Sequence, residues 1–171
     1  YVIYEDIDMN YMFQDVLNLV SITLISEKNA KIKSMISAFE NCKDLEKLNI
    51  KGFDTSKVKS MHKLFYGIGI YSDSNFNFDL STSSVEDMSY MFSLTNIQEL
   101  DLSFFDTKNV KNISHMFEGC GSLNHINFDN FDTSQVVDMS YMFHSCSALN
   151  YLDLSKFNTQ KVTSMSHMCD N

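Results

Sequence analysis

Eleven methionines, five histidines and four cysteines are the side chains of this 171-residue chain best suited to metal or redox chemistry. The methionines are the most suggestive. Asp87–Phe92 reads DMSYMF, Asp138–Phe143 repeats it letter for letter, and Asp8–Phe13 is DMNYMF. A Met-x-x-Met pair can ligate a soft ion such as Cu(I). It can equally form one buried face of a helix, with Met filling irregular core space. The wider spacing favours the core. A copper site needs converging, accessible thioethers, whereas these recur in a line.

The other candidates point away from catalysis. Cys42, Cys120, Cys146 and Cys169 form no C-x-x-C pair, so zinc and thioredoxin-like chemistry are not indicated. The first three each follow a Phe by three residues, and parallel, in-register cysteines are expected to stay free thiols. His115 and His167 share one register position two repeats apart, roughly 10 Å by strand spacing, which is too far for one zinc ion. Asp54, Asp106 and Asp132 each precede a Thr; they read as N-caps of helices and not as calcium ligands. No Ser/His/Asp set, phosphate loop or paired-carboxylate motif is legible. The expectation is a chain with no catalytic residue, metal or cofactor.

The elements that carry these residues repeat. Met9, Met35, Met61, Met88, Ile113, Met139 and Met165 follow one another in steps of 26, 26, 27, 25, 26 and 26 residues. Four residues beyond each stand Phe13, Phe39, Phe65, Phe92, Phe117, Phe143 and, last, Cys169. Within Phe131–Phe157 the apolar positions Val136, Met139, Met142 and Phe143 are spaced as a helical face, and Leu152 and Leu154 alternate as in a strand. Each repeat therefore predicts capped helical turns, a bend and a short strand. One repeat cannot bury its stripe alone; stacked repeats can. The expected fold class is α/β: a leucine-rich-repeat-type solenoid of about 26-residue rungs, with parallel strands on the concave side and short helices on the convex side. It is read as one domain spanning 1–171, a fragment of a longer chain, with an irregular rung at 66–85.

Composition narrows the partners. Net charge is −9, and every basic residue is Lys. An acidic, Arg-free surface repels phosphate backbones, so nucleic acid is not expected. No apolar run approaches the roughly 18 residues of a membrane span, so this fragment is not expected to insert into a membrane. The last repeat carries no polar cap, so end-on self-association or fraying there is expected.

The full rung, as in LNHINFDNFDTSQVVDMSYMF at Leu123–Phe143 and LNYLDLSKFNTQKVTSMSHM at Leu149–Met168, resembles the BspA-like leucine-rich-repeat surface proteins. The resemblance implies display at the cell surface or secretion, and adhesion to an extracellular or host protein or glycan. A structural stalk or spacer is the alternative. Residues alternating with the inward Leu should face outward. The candidate binding residues are Glu99, Asp101, His125, Asn127, Tyr151 and Asp153. None is a core position, so substituting Asp101, Tyr151 and Asp153 is expected to spare stability.

Overall fold

The computed structural model describes residues 6–70 and 76–170. The chain winds into a parallel β-solenoid. Its strands are β1 (Ile7–Asp8), β2 (Ser21–Ile25), β3 (Ile32–Ser34), β4 (Lys47–Lys51), β5 (Phe76–Asp79), β6 (Glu99–Asp101) and β7 (His125–Asn127). They pair as β1–β3, β2–β4–β5 and β6–β7, all parallel. A second column of single bridges runs Ser60–Asp87–Asn112–Asp138–Ser164, just before each Met segment.

Among the described residues there is no helix, which corrects the α/β expectation. The Met segments are chains of tight turns. In Met88–Leu94, every second N–H leaves the rung: Met88 donates to Asn112 O, Tyr90 to Ser114 O, Phe92 to Met116 O and Leu94 to Glu118 O, at 2.8–3.1 Å. The alternate N–H groups turn back three residues, Met91 to Met88 O and Ser93 to Tyr90 O. A helix would send all of them to the fourth residue back within the same segment. The third position of the segment is left-handed in all seven repeats: Tyr11, Ser37, Lys63, Tyr90, His115, Tyr141 and His167. The seventh is left-handed too, at Asp15, Asn41, Gly67, Leu94, Gly119 and Ser145. Each non-glycine residue there costs about 1–2 kcal/mol, which the inter-rung bonds offset.

Turn chain and helix point the same side chains inward, so the apolar face falls on the expected residues. Met35, Met61, Met88, Met91, Met116, Met139 and Met142 are fully buried. Beside them the Phe column stacks ring on ring: Phe13–Phe39, Phe39–Phe65, Phe65–Phe92, Phe92–Phe117 and Phe117–Phe143 lie 5.3–5.9 Å apart. Parallel rungs hold identical side chains in register, so one residue type fills one column.

The irregular stretch 66–85 includes residues 71–75, which lie outside the described residues. On its strand side Leu48 pairs with Phe76, 28 residues on, where Leu100 pairs with Ile126, 26 on. Phe76 and Phe78 take the places of the Leu pair and meet Phe65 edge-on at 4.8 and 5.2 Å. Gly69 passes so close to Lys43 that a Cβ would sit 2.0 Å from its carbonyl oxygen. The departure from the repeat is thus absorbed into the core.

The turn geometry predicts an unusual response to glycine. Ser145 is exposed and left-handed, with φ of 59°. Ser145→Gly should hold or raise the melting temperature, since Gly adopts this conformation freely. In a helix the same change would cost up to about 1 kcal/mol; a clear fall in thermal denaturation would contradict the turn chain.

Candidate functional site

The strand face carries two outward columns in its second half. Register places Glu99 opposite His125 and Asp101 opposite Asn127. Tyr151 and Asp153 continue the two columns in the next rung, though no strand forms there. All six expected residues therefore lie together on the strand face. Glu99, Asp101, His125, Tyr151 and Asp153 are exposed, Tyr151 at 77%, and Asn127 is half-buried.

The columns differ in what they do. Asp101, Asn127 and Asp153 fold the chain: their Oδ1 atoms accept the N–H of Ser103, Asp129 and Ser155 at 2.8–2.9 Å. Each such bond closes an Asx turn that ends the strand. Hydrogen bonds from the Ser103 amide and from the Ser155 hydroxyl and amide hold the Asp101 and Asp153 carboxyls below the usual carboxylate range. The expectation that Asp101 and Asp153 are free of structural duty does not survive this geometry. The side chains of Glu99, His125 and Tyr151 make no hydrogen bond among the described residues.

The Asp residues expected to cap helices do the same work. Asp54, Asp106 and Asp132 accept the N–H two residues on, and so do Asp87, Asn112 and Asp138. The neighbouring Thr hydroxyls tie rungs together: Thr55, Thr82, Thr107 and Thr133, all buried, donate to Ser81 O, Asp106 O, Asp132 O and Asn158 O. The spacing alone carries no sign of this ladder, since it needs the next rung.

Between the last two rungs the strand ladder opens. Among the described residues Tyr151–Leu154 pairs with no strand, while on the other side Met139, Tyr141 and Phe143 still donate to Ser164 O, Ser166 O and Met168 O. The opening lies on the strand side. There a cavity of about 180 Å³ opens, walled by His125, Asn127, Asp129, Tyr151 and Asp153 and floored by Phe128 and Phe157. Lys156 crosses its rim to Asp129 at 2.8 Å. The surroundings are acidic. Residues 64–171 hold thirteen acids against four Lys, so the whole net charge of −9 falls in that part of the chain.

The remaining chemical candidates are structural. Cys42, Cys120 and Cys146 are free and buried, and each thiol donates to a Phe carbonyl of the preceding rung, Phe13, Phe92 and Phe117, at 3.0 Å. Burial pushes these thiols up to about 11, 11 and 12. Tyr90, His115, Tyr141 and His167 stack face to face with centroids 4.2–4.8 Å apart. Their ring faces cover one another, leaving edges to solvent. His115 and His167 are further anchored to Glu118 and Asp170 at 2.8 and 2.6 Å.

Two stretches of the chain, residues 6–98 and 87–171, match the family described as "Mycoplasma protein of unknown function, DUF285". The chain belongs to DUF285. The double match reflects the repeat, since each stretch spans several rungs of the DUF285 solenoid. No curated protein and no solved structure matches it.

Two measurements check this account. Asp101→Ala and Asp153→Ala should each lower the melting temperature, and Asn at the same positions should restore it, because only the turn-closing oxygen is needed. Alkali should also destabilise the fold. Below pH 9 both states keep the thiols protonated; above it the unfolded chain ionises while the buried thiols do not, until about 11–12. Stability should fall through that window by about 1.4 kcal/mol per thiol per pH unit. Denaturant titrations at pH 8 and pH 10 read the slope, and Cys146→Ala should reduce it.

Proposed function

We propose that this DUF285 chain is a non-enzymatic recognition module, displayed at the cell surface or secreted, that adheres to an extracellular or host protein or glycan through its strand face. The observation that carries the reading is the uncommitted column Glu99–His125–Tyr151 beside the opened last rungs. Its side chains make no hydrogen bond among the described residues, and Tyr151 is exposed at 77%. Tyr is favoured at binding hot spots because it offers large, rigid, amphipathic area. Asp129 and Asp153 line the adjacent cavity, and the charge of this half favours a ligand with basic or hydroxyl-rich groups. The rung's resemblance to BspA-like surface proteins supports display outside the cell and a kinship with adhesive repeats.

A stalk or spacer is the second reading. It draws support from the Thr ladder, which recurs along the chain and joins rung to rung.

The test separates them. The chain is screened against immobilised extracellular-matrix proteins and a glycan array. Saturable binding is expected, with at least a tenfold loss in the Glu99→Gln/His125→Ala/Tyr151→Ala variant and an unchanged melting temperature. Absence of saturable binding, or full binding by the variant, would favour the spacer.

A further inference from the structure

Neighbouring rungs are joined along the strands, along the column of single bridges and along the Met segments. At one interior junction, between β5 and β6, the strand link is missing. β5 pairs with β4 and β6 with β7, but among the described residues no bridge and no backbone hydrogen bond joins β5 to β6. The spacing is uneven at the same place. Phe76 lies 28 residues after its partner Leu48, and Leu100 only 24 after Phe76, where Ile126 follows Leu100 by 26. All these steps are even, so the same faces stay inward although the bonding groups no longer meet.

The other two links hold. Met88, Tyr90, Phe92 and Leu94 bond to the next rung at 2.8–3.1 Å, and Asp87 bridges Asn112. On the strand side the junction is closed by side chains instead. Phe78 packs on Phe105 with centroids 5.9 Å apart, beside a buried Leu100. Thr82 ties the corner in both directions: its hydroxyl donates to Asp106 O at 3.1 Å and accepts the Asp106 N–H at 2.8 Å. Thr55 and Thr107, at junctions whose strands pair, only donate among the described residues. The two-way bond recurs between Thr133 and Asn158, where Tyr151–Leu154 again meets no strand.

We propose that the β5–β6 junction is a joint in the solenoid: the strand side opens there, the bridge and Met links serve as its hinge, and Thr82 is its latch. Local opening is easiest where the fewest bonds must break, and between these two strands there is no backbone bond to break. The joint divides the strand face. Glu99, Asp101, His125 and Asn127 lie on one side and move together; Lys47 and Lys51 lie on the other. This inference is independent of the strand-face ligand.

Opening is read by thiol labelling of buried positions in the folded 171-residue chain, in a Cys169→Ser background that removes the exposed native thiol. Leu100 and Leu48 fill the same inward slot and are 2% and 1% exposed. Leu100 borders the joint, whereas Leu48 lies between paired strands. Leu100→Cys should react with Ellman's reagent at least tenfold faster than Leu48→Cys, with peptide mapping by mass spectrometry separating the label from Cys42, Cys120 and Cys146. Adding Thr82→Val should speed Leu100→Cys about tenfold further and leave Leu48→Cys unchanged; Thr55→Val should not speed Leu100→Cys. Should either Cys variant melt early, Leu102→Cys and Ile50→Cys, both fully buried in the next inward slot, repeat the comparison. Equal rates at the two slots would overturn the proposal. So would a Thr82→Val change that leaves Leu100→Cys unaltered or speeds both thiols alike, or a Thr55→Val change that matches it.

Discussion

Every second N–H of the Met segment bonds to the carbonyl of the following rung, and the rest of the structure depends on that exchange. A strand would send its amides to neighbours, and a helix would keep them. This segment divides them: alternate amides close local turns and the others join rungs. The division needs a left-handed residue at every fourth position, and the chain supplies it mostly with ordinary residues, among them Tyr90, Leu94, His115 and Tyr141. Their strain is tolerable because each rung is held by the next. An isolated repeat would have no such carbonyls to bond.

Once the rungs are in register, columns follow. Phe stacks on Phe, each buried thiol finds the Phe carbonyl one rung back, and the buried hydroxyls of Thr55, Thr82, Thr107 and Thr133 find a carbonyl one rung on. These are polar groups that burial would penalise if they were left alone. The repeat satisfies them with the same partner each time. Where the repeat falters, around Phe76 and Phe78, aromatic packing on Phe65 replaces the regular Leu ladder.

The same logic sorts the outer face. Residues that recur in type from rung to rung, such as Asp101, Asn127 and Asp153, close turns. Residues that vary, such as Glu99, His125 and Tyr151, make no side-chain hydrogen bond among the described residues. Variation beside a fixed scaffold leaves room for recognition, and here it coincides with the acidic half of the DUF285 chain and the cavity over Phe128 and Phe157.

The period, the buried columns and the outward strand positions follow from the order of residues alone. Inward side chains must recur at fixed spacing whatever the backbone does, so Met139, Met142, Phe143, Leu152 and Leu154 could be placed from their intervals. That order also places the six strand-face residues together, because alternation and a 26-residue step suffice for that. Only the tertiary structure decided the backbone of the Met segment. The spacing of three, three and four residues suits a helix and a turn chain alike, and the deciding carbonyls lie on another rung. The duties of Asp101 and Asp153 were hidden for a related reason. An Asp followed two residues later by Ser reads the same in a solvated loop, a helix cap or a strand-ending turn, until the chain's path fixes which amide its oxygen meets.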